Sequence, residues 1–353
     1  MRYVQPRPSS IVAALYTLRD LNVDLAILHG PSGCSFKHAR LLEEDGIRVL
    51  TTSLGDEEFI FGGQKILEDV LQYAEKEFSP RRIAVVGTCV SMIIGEDLDA
   101  AIEASGITTP AIGVSIHAGF RENIDGVIAT LEPAAKIGWI SEEEFERQKL
   151  VLASANKTER ERGAACKTYI APSRGDLKHV AAAELAELLR SGKKGMAIMN
   201  AKKETAYMFA DHLCAVHECA PDANVTFVAN LEARGLPKVR GDAAMILAEL
   251  NERGIHPELI GALDEYGGNG PRIAERIAEV KPEFLLLVGV PHAVSPEALA
   301  GIKVFSVTNG PRQVLPLKEQ GHAHVMVEVD LHPKTLGVHN IVESEFGAVL
   351  RSM

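Results

Sequence analysis

Short apolar runs alternate with longer stretches of helical spacing along this chain. Val23–Leu28, Arg82–Val86 and Ala111–Ser115 are brief runs with the near-continuous apolar character of strands buried on both faces. Between them, Gln64–Glu77 places Ile66, Leu67, Val70, Leu71 and Ala74 on one face of a helix. Further strands are expected over Gly195–Met199, Asn224–Val228, Glu258–Gly261, Glu283–Val288 and Ile302–Val307, with helices over Asp242–Arg253 and Pro271–Val280. Ala323–Val329 reads as a last strand, and a terminal helix follows from Ile341. Strands alternating with helices predict an α/β protein of several Rossmann-like domains, with parallel sheets flanked by helices.

The polar, charged stretch Ser154–Cys166 marks a linker, and a weaker boundary falls near Leu231–Val239. The expected organisation is an N-terminal α/β domain over 1–160, a middle α/β domain over 161–235, and a C-terminal α/β domain with a terminal extension over 236–353. A length of 353 residues fits two or three such domains. Apolar runs such as Phe284–Val288 are far short of the roughly 20 residues a membrane helix needs. Met1–Ser10 lacks the apolar core of a signal peptide, so a cytoplasmic location is expected. The net charge of −11 argues against non-specific nucleic-acid binding. Residues 157–203 nevertheless carry eleven Lys or Arg against five Asp or Glu, which is either a solvated helix surface or an attraction for an anionic ligand.

The chemistry turns on five cysteines, Cys34, Cys89, Cys166, Cys214 and Cys219, an odd and sparse set that makes poor disulfide material. Cys34 ends the turn His29-Gly-Pro-Ser-Gly-Cys34, and Cys89 follows the strand ending at Gly87. Both sit just past the carboxyl ends of expected strands, where open parallel sheets bind ligands. From spacing alone, each is either a buried small hydrophobe or a thiolate ligand favoured by a following helix. A rival metal set is His212, Cys214, His217 and Cys219, but one unbroken helix cannot aim all four at one ion. Cys166 has no evident partner, and His322, His324, His332 and His339 read as surface or structural histidines. Gly267-Gly-Asn-Gly270 is either a plain turn or a helix start able to hold an anion. Phe61-Gly-Gly-Gln-Lys65 is not a phosphate loop, because the outer glycine and the residue after the lysine are wrong.

Taken in order, His29-Gly-Pro-Ser-Gly-Cys34, Thr51-Thr-Ser-Leu54, Phe61-Gly-Gly63 with Lys65, Cys89 with Ile94-Gly-Glu-Asp97, and Gly119-Phe-Arg121 resemble the N-terminal domain of the nitrogenase molybdenum–iron protein family and its light-independent protochlorophyllide reductase relatives. The resemblance implies a nitrogenase component 1-like fold and an oxidoreductase. It also implies a metal site in which Cys34 and Cys89 ligate a 4Fe–4S cluster at a subunit interface, fed by an iron-protein-like ATPase that docks there. ATP would then be used by that partner and not by this chain. Many family members carry a further cysteine upstream, where this chain reads Pro8-Ser9-Ser10. Two thiolates per chain make half of a four-thiolate set, so a homodimer sharing one cluster is expected. Short chains with this reduced set are similar to the reductive cyclase components of methanogens. That likeness implies reduction of a nickel tetrapyrrole, Ni-sirohydrochlorin a,c-diamide, with γ-lactam closure in coenzyme F-430 biosynthesis. Another tetrapyrrole reductase, a non-catalytic cluster scaffold, and an unrelated α/β enzyme with structural cysteines are the alternatives.

A polyanionic substrate needs cations near the cysteine loops, and Lys37, Arg40 and Arg121 are the nearest in sequence. Ring protonation needs acids, for which His38, Glu96 and His117 are candidates. Each of these side chains has an ordinary surface or capping role as its alternative.

Overall fold

The computed structural model describes residues 8–120, 122–164, 169–328 and 335–353. Arg121, Cys166 and His332 therefore lie outside the described residues. The chain forms two compact units. One runs to Lys149 and takes in Leu236–Lys238; the other comprises Leu150–Gly235 and Val239–Met353.

The first unit is built on four parallel strands: β1 (Leu25–His29), β2 (Arg48–Thr51), β3 (Ile83–Gly87) and β4 (Ala111–Val114), in the order β2-β1-β3-β4. The two central strands are buried at every position, as their unbroken apolar runs require. Leu25, Ile27, Ile83 and Val85 pack against Leu67, Leu71 and Ala74 of the helix Gln64–Phe78 and against Leu98 and Ala101 of the helix Leu98–Ser105. Alternation along the strands turns Ala26, Leu28, Ala84 and Val86 to the opposite face. Strand β2 was not expected from the sequence. It is a four-residue edge strand that opens on an exposed arginine and is only half buried, so its apolar signal is weak.

The second unit holds a six-stranded parallel sheet: β5 (Gly195–Asn200), β6 (Val225–Ala229), β7 (Glu258–Leu259), β8 (Phe284–Gly289), β9 (Lys303–Thr308) and β10 (His324–Val327), in the order β10-β9-β8-β5-β6-β7. Its core joins Met196, Ile198, Leu285 and Leu287 to Ile273 and Ile277 of the helix Tyr266–Val280. The expected separation of 161–235 from 236–353 is corrected here. Strand β8 hydrogen-bonds alongside β5 from Gly195 opposite Phe284 to Asn200 opposite Gly289, so the two segments share one sheet and one core. The expected linker is also corrected at its start, since the helix Glu142–Glu161 runs through Ser154. Its polar composition belongs to a helix rather than a loop.

Gly267-Gly-Asn-Gly270 lies inside the first turns of the helix Tyr266–Val280. A Cβ at Gly267 would stand 2.7 Å from the Ser154 carbonyl oxygen, and one at Gly270 would stand 2.0 Å from that of Ala293. These glycines permit close backbone packing. Among the described residues no helix is long and apolar enough to cross a membrane.

The helices Ser10–Asp20 and Ile124–Lys136 meet closely in the first unit. A Cβ at Gly126 would lie 2.1 Å from the Ser10 carbonyl oxygen, which is backbone and cannot rotate away. Gly126→Ala is therefore expected to destabilise the fold by about 1–3 kcal/mol through overpacking. A denaturant melt showing wild-type stability would contradict this contact.

Candidate metal-ligating site at the strand ends

The carboxyl ends of β1, β2 and β3 are tied together around one buried histidine. His29, the last residue of β1, is fully buried and sits opposite Gly87 of β3. Its Nδ1 lies 3.1 Å from Thr52 Oγ1, and its Nε2 lies 3.3 Å from Glu96 Oε2. A carboxylate can only accept, so the network assigns the proton to Nε2 and leaves Nδ1 to accept from the Thr52 hydroxyl. Thr52 Oγ1 in turn accepts from the Gly30 N–H at 3.0 Å, and Glu96 Oε1 accepts from the Gly63 N–H at 2.6 Å. The Thr88 hydroxyl donates to the His29 carbonyl at 2.9 Å. Two glycines make room for this meeting. A Cβ at Gly30 would fall 2.2 Å from Thr88 Oγ1, and one at Gly63 would fall 2.7 Å from Leu54 and 3.2 Å from the His29 ring.

These loops carry the two thiols. Cys34 sits in a turn closed by its N–H donating to the Pro31 carbonyl at 3.0 Å. Ser35 then adopts φ 53° before the helix Phe36–Glu44. Cys89 is the first residue of the short helix Cys89–Ile94, whose entry is fixed by Ser91 Oγ accepting from the Thr88 N–H at 2.8 Å. Both thiols are half-buried. Burial pushes the Cys34 thiol up from its ordinary value, and Cys89 lies near enough to push it further. The Ala118 N–H donates to Cys89 Sγ at 3.3 Å. Two half-buried sulfurs on the loops that follow the paired strands β1 and β3, one of them receiving a backbone N–H, form a donor set suited to a soft metal or an iron–sulfur cluster. Thiols of this kind deprotonate on metal binding. Among the described residues no group of three His, Cys, Asp or Glu side chains is placed to hold a metal ion.

Exposed apolar side chains lie on the elements that carry or adjoin the thiol loops. Phe36 is 60% exposed, Phe61 82% and Ile93 72%, joined by Phe59, Ile60 and Phe120. The helix Asp56–Phe61 packs beside Cys89–Ile94, and Phe120 stacks on His117 near Ala118. Large exposed apolar groups gathered at one site are a mark of an interaction surface.

The remaining sequence candidates fall as follows. Glu96 is engaged with His29 and Gly63. His117 accepts from the Gly119 N–H at its Nδ1, and its carbonyl accepts from Ser10 Oγ. Lys37, His38 and Arg40 lie on the helix following Cys34, with Lys37 and Arg40 exposed and Arg40 3.9 Å from Glu43. The rival set does not converge. His212 is buried with its Nε2 3.6 Å from Glu328, Cys214 is buried with its thiol pushed up to about 12 by burial, His217 packs on Phe227, and Cys219 lies beside Arg190. His322 is buried against Ser306, His324 pairs with Glu184 at 2.5 Å, and His339 is exposed. His29 opens the motif that ends at Cys34, but motif spacing alone does not mark it as the hub. The signal was a histidine ending a wholly apolar strand, where a buried imidazole must find partners.

Burial holds the His29 imidazole below its ordinary 6.5, with the Glu96 hydrogen bond and charge acting in the opposite sense. The unfolded chain therefore takes up a proton near pH 6.5 that the folded chain refuses until lower pH. Stability from this group is complete above that value and is lost as pH falls toward the folded value. The destabilisation caused by His29→Asn is expected to shrink between pH 7.5 and pH 5.5. Urea melts at the two pH values check it, and a difference independent of pH would refute the assignment.

Residues 10–138 match the family model described as nitrogenase component 1 type oxidoreductase. The whole chain is 54% identical to component CfbD of the Ni-sirohydrochlorin a,c-diamide reductive cyclase complex of Methanosarcina acetivorans, over 99% of this chain and 97% of that protein. The CfbD components of Methanothermobacter thermautotrophicus and Methanocaldococcus jannaschii are 47% and 42% identical, over 99% and 98% of this chain and 98% and 97% of theirs. The chain belongs to the family of these CfbD components, among the nitrogenase component 1 type oxidoreductases.

Proposed function

We propose that this chain is the catalytic component of an ATP-dependent reductive cyclase that acts on Ni-sirohydrochlorin a,c-diamide and closes a γ-lactam on the way to coenzyme F-430. The observation that carries this reading is 42–54% identity to the CfbD components over nearly the full length, supported by two half-buried thiols on the loops after the neighbouring strands β1 and β3. Cys34 and Cys89 would each ligate a 4Fe–4S cluster, which when bound supplies one-electron transfer. The Ala118 N–H would stabilise the charge on the Cys89 sulfur. The hydrogen bonds around His29 would keep the ligand loops in place.

One chain offers two thiolates, so two copies related by a two-fold axis would complete the ligand set. The exposed apolar set of Phe36, Phe59, Ile60, Phe61, Ile93 and Phe120 supports a homodimer that meets at this face. An iron-protein-like ATPase would deliver the electrons, since the sequence has no phosphate loop of its own. Lys37, Arg40 and Arg121 would meet substrate carboxylates near the ligand loops, and His38 or His117 would hold protons for the ring. Glu96 is the weaker proton source of the three, because both its oxygens already face partners. A cytoplasmic setting fits these partners.

Iron analysis of the anaerobically purified protein tests the shared cluster. About four irons per dimer are expected, with loss in both Cys34→Ala and Cys89→Ala and retention in Cys214→Ser/Cys219→Ser. About eight irons per dimer, or full iron in either single variant, would sink the ligand assignment. The interface is tested separately by Phe61→Asp, which is expected to shift the dimer toward monomer in sedimentation velocity. An unchanged dimer would move the interface away from the thiol face.

A further inference from the structure

The second unit has its own strand-end site, built from residues far apart in the chain. In its sheet the connections run outward from β5 through β6 to β7, then return to β8 on the other side of β5. The carboxyl ends of β5 and β8 therefore flank a topological switch point, where open parallel sheets bind ligands. The backbone there is held by three buried asparagines. Asn230 accepts from the Ala201 N–H at 2.9 Å and donates to the carbonyls of Ala201 and Ala262 at 2.8 and 3.1 Å. Asn269 donates to Asn200 Oδ1 at 3.2 Å, and Asn200 donates to the Tyr266 carbonyl at 3.3 Å. The Val290 N–H donates to the Asn200 carbonyl at 2.9 Å.

On this platform stands a compact charged set. Lys202 Nζ lies 3.1 Å from Glu159 Oε1 and 4.8 Å from the centre of the Tyr266 ring. The Tyr266 hydroxyl donates to the same Glu159 oxygen at 3.3 Å. His292, just beyond β8 and only 4% exposed at its side chain, has Nε2 3.5 Å from Glu159 Oε2. Neither ring nitrogen of His292 has a well-formed hydrogen bond among the described residues. Lys202 keeps 37% of its side-chain surface exposed, and Glu159 is its hydrogen-bond acceptor among the described residues, so two ammonium protons remain for a ligand. Burial opposes ionisation of both groups, but their mutual charge and hydrogen bond outweigh it, holding Glu159 well below the usual carboxylate range and Lys202 above its usual value, so both stay ionised at neutral pH.

The chemistry of the ligand can be narrowed. A phosphate at a switch point needs a free helix N-terminus. Here the helix Tyr266–Val280 begins behind Glu265, whose carboxylate accepts from the Ala262 N–H at 3.0 Å, and its glycines are packed against backbone. What remains is a partly exposed lysine side chain whose ammonium sits beside an aromatic ring. We propose that Lys202, set by Glu159 and Tyr266 at the β5/β8 switch point, binds a carboxylate of the macrocyclic substrate. This rests on the tetrapyrrole reading above and assigns that substrate an anchor the sequence candidates did not include.

The test is an anaerobic absorbance titration of the cluster-loaded protein with Ni-sirohydrochlorin a,c-diamide, without electron donor. Lys202→Met is expected to weaken binding roughly tenfold or more, as loss of a charge-assisted hydrogen bond does, while Lys202→Arg stays within about threefold of wild type. Since Lys202→Met leaves Glu159 without its counterion, the double variant Glu159→Gln/Lys202→Met removes both charges together and should show the same weakening in a folded protein. Wild-type affinity in the double variant, or in a folded Lys202→Met, overturns the proposal. If the iron-loaded wild type itself binds no tetrapyrrole, the substrate reading is what has failed, and this inference falls with it.

Discussion

A buried imidazole has two ring nitrogens to satisfy, and the first unit is organised around how His29 does so. Placing Nδ1 on Thr52 and Nε2 on Glu96 draws together the loop after β2 and the segment after the helix that begins at Cys89. Glu96 extends the link to Gly63, and Thr88 closes it onto the His29 carbonyl. An unpaired polar group at this depth would cost roughly 1–3 kcal/mol, so the loops have little freedom to part. Cys34 and Cys89 inherit that rigidity, although neither touches the imidazole in any hydrogen bond described above. In the proposed role as cluster ligands, thiols held by a fixed scaffold would meet a metal group without reordering.

The second unit solves a similar problem with different side chains. Asn200, Asn230 and Asn269 fix the ends of β5, β6 and the helix from Tyr266 through amide hydrogen bonds. Glu159, Lys202 and His292 then place charge on that platform. A buried ion pair is weak evidence for stability on its own, because desolvation offsets much of the attraction. Its position at a switch point, with one partner still open to solvent, is what gives it a functional sense.

Much of the fold was legible in the sequence wherever burial was complete. Strands β1, β3, β5 and β8 are near-continuous apolar runs because both faces are covered, and they lie close to where the sequence placed them, as does β9 despite its Ser306. Of the edge strands, β4, β7 and β10 fall where the sequence placed them, and β2 does not. Strand β2 was missed because it is half exposed and carries little pattern to read, whereas β7, two exposed residues that pair with β6, falls within the strand expected over Glu258–Gly261. The glycines of Gly267–Gly270 could be a turn or an anion cradle in sequence, and packing against Ser154 and Ala293 decided for neither. Ser154–Glu161 looked like a linker because a solvated helix and a charged loop share a composition.

By itself the sequence determined the α/β rhythm, the parallel character of the sheets and the strand-end positions of Cys34 and Cys89, since these follow from periodicity over a few residues. Tertiary structure alone decided which side chains meet. His29 and Glu96 are 67 residues apart, and Lys202 lies 43 from Glu159. Strand order and register bring such pairs together, and neither is written in local periodicity. For the same reason the merging of 161–235 with 236–353 into one sheet became visible only when β8 was seen to lie beside β5.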